Sequence, residues 1–266
     1  MEPKITAQEI GARKTETEAK IVAITAYDFT MAKLLDEIVD ILLVGDSLGM
    51  VVQGEPNTLG VTLDQIIYHC RCVSKATKHA HLVADMPFMS YQISEVEALR
   101  NAGRILSEGK AEAVKLEGGV RAAQTVERLV STGIPVMGHV GLTPQSVHLF
   151  GGHRVQGKTD SGRESILQDA PALEDAGAYA VVLEAIPADL AKAITERLGI
   201  PTIGIGAGPH CDGQVLVSTD LLGMDDSFHP KFLKRYANLS ESVQAAAAKF
   251  ASKVRKGEFP TLEHSF

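Results

Sequence analysis

With 266 residues, 45% of them hydrophobic and 22% charged, the chain carries enough apolar material for a sizeable core and lies in the size range where an α/β barrel remains one domain. A net charge of -7 without any Lys/Arg run argues against nucleic acid or an anionic membrane surface as partner, and no apolar stretch approaches the roughly 20 residues of a membrane helix. Small molecules and other copies of the chain remain as partners.

The first segment, MEPKITAQEIGARK, lacks the apolar core of a secretory signal and carries acids that a mitochondrial presequence avoids, so the expected compartment is the cytoplasm. Within it Ile5 and Ile10, with Thr6 as a cap, predict a short helix over one end of the domain. KIVAITAYD reads as a buried strand, followed by a helix from Phe29 to Ile38. DILLVGDSLG is a second strand, apolar on both faces, that meets polar residues only at its exit. The Gly/Pro/Asn-rich stretch from Met50 to Val61 predicts a loop long enough to act as a lid.

Thr62 and Gln65 have capping-box spacing and open a helix predicted to run to Ala80. HLVADMPF is the third strand, a Ser94-capped helix follows and stops at Gly109, and EAVKLEGG is the fourth strand. A helix over 120–132 leads to IPVMGHVG. The next stretch, LTPQSVHLFGGHRVQGK, is expected to be an irregular substrate loop because of Pro144, Gly151, Gly152 and Gly157. A helix over 164–176, the strand AVVLEAIP, a helix over 188–198, the strand in IPTIGIGAGP and an eighth strand in QVLVSTDLLG complete the alternation. An alanine-rich helix between Lys231 and Lys256 and a tail end the chain. Cys70, Cys72 and Cys211 lack zinc-site spacing and are expected to be reduced thiols.

Eight buried strands alternating with helices predict a single (β/α)8 barrel over residues 1–266, with a short N-terminal helix and a C-terminal helical extension, in preference to an open doubly wound sheet. Barrel enzymes work at the C-terminal ends of their strands, and those ends release Asp46, Asp85, Lys115, Glu117, His139 and Glu184. Asp46, Asp85 and Glu117 leave three separate strands and suit a hard divalent cation such as Mg²⁺, directly or through water; each taken singly also fits a helix cap or a rim salt bridge. Lys115 shares a strand face with Glu117, where its ammonium either neutralises a substrate carboxylate or pairs with the glutamate. His139 is placed to hydrogen-bond a substrate oxygen, or to serve an internal bond. Glu184, behind four apolar residues, has the setting of a carboxyl raised toward neutrality and suited to a general base. Ser47 offers a hydroxyl or backbone amide beside Asp46. IGIGAGPHCDG has neither a Walker lysine nor GxGxxG, so it reads as a tight strand exit.

GDSLGMVVQG, ADMPFMSY, VKLEGG, VMGHVGLTPQSVHLFGGHRVQGK, VVLEAIPADLA and IPTIGIGAGPHCDGQVLV together closely resemble the ketopantoate hydroxymethyltransferase family, from about Thr6 to about Leu222. The resemblance implies a Mg²⁺-dependent barrel of the phosphoenolpyruvate mutase/isocitrate lyase type. Such an enzyme makes ketopantoate, for pantothenate and coenzyme A, from 3-methyl-2-oxobutanoate and 5,10-methylenetetrahydrofolate. By the same resemblance Asp46, Asp85 and Glu117 are metal-associated. Asp46, Ser47, Asp85 and Lys115 contact the ketoacid, His139 stands near it, and Glu184 accepts the proton. His153 stands where many relatives carry an aromatic residue. A cytoplasmic homodecamer is also implied. Two other readings differ in what they predict: a Mg²⁺-dependent carbon-carbon lyase or aldolase would not need folate, and a non-catalytic carboxylate-binding module would show neither turnover nor metal dependence.

Overall fold

Runs of four to six mostly aliphatic residues, nearly all inaccessible to water, supply the strands. In the computed structural model, which describes residues 3–16, 19–226 and 229–266, these are β1 (Ile21–Thr25), β2 (Ile41–Val44), β3 (His81–Asp85), β4 (Ala113–Glu117), β5 (Val136–Gly141), β6 (Ala180–Glu184), β7 (Thr202–Ile205) and β8 (Gly213–Leu216). Each pairs in parallel with the next, and β8 closes on β1. The expected (β/α)8 barrel is therefore the fold.

α1 (Ala7–Glu16) precedes the barrel, and α2 (Phe29–Leu35), α3 (Leu48–Val51), α4 (Leu63–Ser74), α5 (Glu95–Ser107), α6 (Val120–Val130), α7 (Val147–Phe150), α8 (Asp160–Asp175) and α9 (Ala188–Arg197) lie between its strands. One connection differs from the expected alternation: residues 206–212 join β7 to β8 without a helix. Gly206 and Gly208, at φ +63° and +82°, give that short crossover backbone angles that L side chains resist.

The caps expected at α4 and α5 are present. Thr62 accepts from the Gln65 N–H while the Gln65 side chain accepts from the Thr62 N–H, and Ser94 accepts from Glu97. α4 nevertheless stops at Ser74 rather than Ala80. The buried Asp36 carboxylate accepts from the N–H groups of Lys78, His79 and Ala80, which takes those amides out of any helical ladder. The loop after β5 also differs from expectation. Pro144–Ser146 forms a 3₁₀ turn and α7 continues it until Gly151, at φ +64°, so proline and glycine bracket a short helix instead of preventing one. After α3, the expected lid folds back on itself: Glu55 N–H donates to Gly49 O, and Thr58 and Val61 are buried.

Alternation along the strands separates the barrel interior from its wall. Ala23, Leu43, Val83, Ala113, Met137, Val182, Ile203 and Val215 fill the interior. Ile5 and Ile10 join that cluster, and Ile5 N–H donates to His79 O just ahead of β3, so the first helical segment closes the N-terminal mouth. Cys70 and Cys211 are buried, and all three cysteines are free thiols. Two compact units divide the chain, Met1–Val217 and Ser218–Phe266. The second contains α10 (Ser218–Leu221) and α11 (Leu239–Arg255), and α11 buries none of its residues. Among the described residues no helix is long and apolar enough to cross a membrane.

Candidate active site

The period of two that packs the interior also builds the site. Val83 is followed two residues on by Asp85, Ala113 by Lys115 and then Glu117, Met137 by His139, and Val182 by Glu184, so the polar residues form the layer above the apolar one. Strand register sets them side by side, with Asp85 opposite Lys115 and Glu117 opposite His139. Asp46 enters from the turn after β2, where its N–H donates to Asp85 Oδ2 at 2.9 Å. Gly45 permits this approach, since a Cβ there would meet Asp85 Oδ2 at 3.3 Å and Ser47 Oγ at 2.8 Å.

Lys115 is the ammonium at the centre. Its Nζ lies 2.9 Å from Asp85 Oδ1, outside hydrogen-bond alignment, and 3.2 Å from His139 Nδ1. Burial opposes its charge, but the carboxylates of Asp85, Glu117 and Asp46 outweigh burial and hold its pKa above the usual lysine value. Nδ1 accepts from an ammonium only when it carries no proton, so His139 is the neutral Nε2–H tautomer. Burial, and after it the Lys115 charge, push the His139 pKa well down, in keeping with that state. Its Nε2 stands 3.2 Å from Glu184 Oε2, near but not aligned for a hydrogen bond.

The acids are not equivalent. Asp46 is pushed up to about 7, chiefly by burial and then by the charge of Asp85. Glu117 is raised well above the ordinary carboxyl range by burial and then by Asp46. Glu184 reaches about 7 through burial, against the opposing pull of Lys115 and His153. Glu184 also keeps 22% of its side chain open, against 4% for Glu117, so it is the acid that a ligand in the barrel mouth reaches most freely.

The six ionisable residues expected at the strand ends thus share one cluster. Ser47 adjoins it, with its Oγ 2.9 Å from the Tyr27 hydroxyl. Two residues that the sequence does not single out also belong. Gln145, in the turn after β5, donates its N–H to Glu117 Oε2 at 3.0 Å and its Nε2 to Asp46 Oδ2 at 2.9 Å, and the buried Tyr91 bonds both Gln145 and the Glu117 backbone. Both lie inside segments that carry the family resemblance, but neither takes a role from it, because their partners are distant in sequence.

Among the described residues, no three His, Cys, Asp or Glu side chains are disposed to enclose a metal ion. Gln145 stands between Asp46 and Glu117. What the cluster does offer a hard cation is the adjacent pair Asp46 and Asp85, the latter's Oδ1 already facing the Lys115 ammonium at 2.9 Å. Mg²⁺ is commonly held by one or two carboxylates, with waters and substrate oxygens in its other positions, and that donor set fits.

Known proteins agree with the architecture and extend it. Residues 4–262 match the model of the family described as ketopantoate hydroxymethyltransferase. A 3-methyl-2-oxobutanoate hydroxymethyltransferase of Syntrophus aciditrophicus (strain SB) is 55% identical over 99% of this chain and 97% of its own length. The protein of the same name from Trichlorobacter lovleyi (strain ATCC BAA-1151 / DSM 17278 / SZ) is 55% identical over 100% of both. Among solved structures, phosphonopyruvate hydrolase in complex with oxalate and Mg²⁺ superposes with a TM-score of 0.64 at 13% identity, covering 97% of this chain and 93% of that one. For 2,3-dimethylmalate lyase, a PEP mutase/isocitrate lyase superfamily member, the TM-score is 0.63 at 18% identity, with 99% and 89% covered. The two structures establish the type of barrel; the family match and full-length relatives go further, and on them the chain belongs to the ketopantoate hydroxymethyltransferase family.

Proposed function

We propose that this member of the family makes ketopantoate by transferring a one-carbon unit from 5,10-methylenetetrahydrofolate to C3 of 3-methyl-2-oxobutanoate, the step that opens the route to pantothenate and coenzyme A. The observation that carries the reading is the meeting of Glu184, a partly open carboxyl pushed up to about 7, with the Asp46, Asp85 and Lys115 cluster at one barrel mouth. In this reading Asp46 and Asp85 would hold Mg²⁺, with Glu117 associated with the site directly or through water. When bound, the ion supplies Lewis-acid polarisation of the ketoacid oxygens.

The chain's own residues do the rest. The Lys115 ammonium and the Ser47 hydroxyl or amide bind the ketoacid, and the His139 Nε2–H is available to one of its oxygens. The Glu184 carboxylate takes the C3 proton, and the electron pair of that C–H bond becomes the enolate. C3 then forms its bond to the folate methylene carbon as the first of that carbon's two bonds to nitrogen breaks, and the freed nitrogen takes the proton removed from C3. Water supplies the hydroxyl of the product as the second carbon–nitrogen bond breaks, its remaining proton going to that nitrogen, so that tetrahydrofolate leaves.

We further read the chain as a cytoplasmic homo-oligomer, a decamer by its family, with Ser218–Phe266 serving assembly. Support for assembly comes from α11, which leaves Val243, Phe250 and Val254 exposed. One assay tests the chemistry: purified protein with 3-methyl-2-oxobutanoate, methylenetetrahydrofolate and Mg²⁺ should give ketopantoate. Activity unaffected by a chelator would remove the metal, and product formed without folate would remove the one-carbon donor.

A further inference from the structure

We propose that Gln145 is a positioning residue of the ketoacid site: its side-chain amide and backbone N–H fix the Asp46 and Glu117 carboxylates relative to one another, and the Tyr91 hydroxyl holds that amide in place at its oxygen. The inference rests on the reaction proposed above and adds two residues to it.

The amide of Gln145 uses its full bonding capacity. Oε1 accepts from the Tyr91 hydroxyl at 2.8 Å and from Gln92 Nε2 at 3.0 Å, while Nε2 donates to Asp46 Oδ2 and to Met86 O, both at 2.9 Å. Two donors and two acceptor positions are all that a glutamine side chain has. The backbone N–H adds a fifth bond, to Glu117 Oε2. That amide is available because Gln145 lies in the opening turn of a 3₁₀ helix behind Pro144, where early N–H groups lack a partner in the helix.

The orientation follows from the neighbours. The Tyr91 oxygen accepts from Glu117 N–H at 3.1 Å, and its one proton has two acceptors in reach, Gln145 Oε1 at 2.8 Å and Glu117 O at 3.1 Å, of which Gln145 is the nearer. Turning the amide over would set its oxygen against the Asp46 carboxylate and the Met86 carbonyl, and its NH₂ against Gln92 Nε2. The Met86 carbonyl, which can only accept, therefore holds the NH₂ on its own side and leaves the amide oxygen facing the Tyr91 hydroxyl. A neutral donor pair holds apart two buried acids where a charged residue would either neutralise or repel them. Outer groups that orient ligating carboxylates typically matter by about 10–100-fold in metal affinity or activity.

Deuterium exchange at C3 of 3-methyl-2-oxobutanoate, followed by NMR without folate, measures the step that depends on this geometry. Tyr91→Phe keeps the ring and removes the hydroxyl, and Gln145→Met keeps the length and removes the amide. Both should slow exchange per folded molecule by about 10–100-fold, and calorimetry should give Mg²⁺ affinity weakened by about tenfold or more. Gln92→Ala, which loses only the more exposed bond to Oε1, should change both by less than about threefold. Wild-type exchange rates and Mg²⁺ affinity in folded Tyr91→Phe would overturn the inference even if Gln145→Met does not fold. So would losses that match only the unfolded fraction read by circular dichroism. If the wild type itself exchanges no C3 proton, the proposed reaction fails instead.

Discussion

Glu184→Gln isolates the proposed proton acceptor, because the amide keeps the size of the side chain and removes its basicity. Burial raises Glu184 from an ordinary 4.5 to about 7, so at pH 7 about half of the molecules hold a usable carboxylate and at pH 6 about one in ten. Wild-type C3 exchange should rise about tenfold from pH 5 to 6, by less between 6 and 7, and level off near pH 8. With Mg²⁺ saturating, so that Asp46 stays ionised, Glu184→Gln should lower the plateau by about 10²–10⁴-fold, the usual contribution of a positioned base, and abolish the acid limb. Stability moves the other way. A carboxyl whose folded pKa is raised contributes stability below its unfolded value of 4.5 and loses it as pH rises through about 7. Moving from 4.5 to about 7 corresponds to about 3 kcal/mol, so the glutamine variant should gain on the wild type between pH 5 and 8 in urea titrations. At saturating Mg²⁺, an exchange rate within threefold of wild type, or an acid limb that survives the substitution, would refute the role.

Three other outcomes follow from named contacts. Lys115→Met leaves Asp85 and Glu117 buried without the ammonium between them and should cost about 3–5 kcal/mol at pH 8 in urea unfolding, with the deficit shrinking as acid protonates the carboxyls; a loss below about 1 kcal/mol would count against the pairing. Gly141→Ala forces φ +96° on an alanine and drives its Cβ into Glu184 O, so it should lose about 1–3 kcal/mol and slow C3 exchange; unchanged exchange in the folded variant would contradict the contact. Asp46 holds its proton up to about 7, so calorimetric Mg²⁺ affinity should strengthen between pH 6 and 8 with protons released to the buffer, and a flat profile would remove Asp46 as a direct ligand.

The strands were legible in the sequence because they are buried on both faces, and their polar exits because side chains alternate: once Ala113 lies in the interior, Lys115 and Glu117 lie above it. Local caps were legible for a similar reason, since Thr62 and Gln65 satisfy each other within one turn. What escaped were polar groups whose partners are remote in the chain. Gln145 bonds a residue 99 positions away, and Asp36 ends α4 by accepting amides 42 to 44 positions away. No window of sequence contains both partners. Glycine and proline misled in the loop after β5, where the same residues that break a helix also begin and end a short one.

Four acids, Asp46, Asp85, Glu117 and Glu184, meet one ammonium in this barrel mouth, and His139 is neutral. Low-dielectric surroundings do not tolerate three uncompensated negative charges, and the protein answers with protons: Asp46, Glu117 and Glu184 are all displaced upward, each chiefly by burial. Asp46 and Glu184 are both poised near 7, but Asp46 sits beside the Asp85 charge, so a cation there favours its ionised form, whereas Glu184 stands more open to solvent with His139 Nε2 at 3.2 Å. The division of labour among chemically similar acids therefore follows from depth and neighbours. Those nearest Lys115 are suited to hold charge in place, and the one at the rim is suited to carry a proton away.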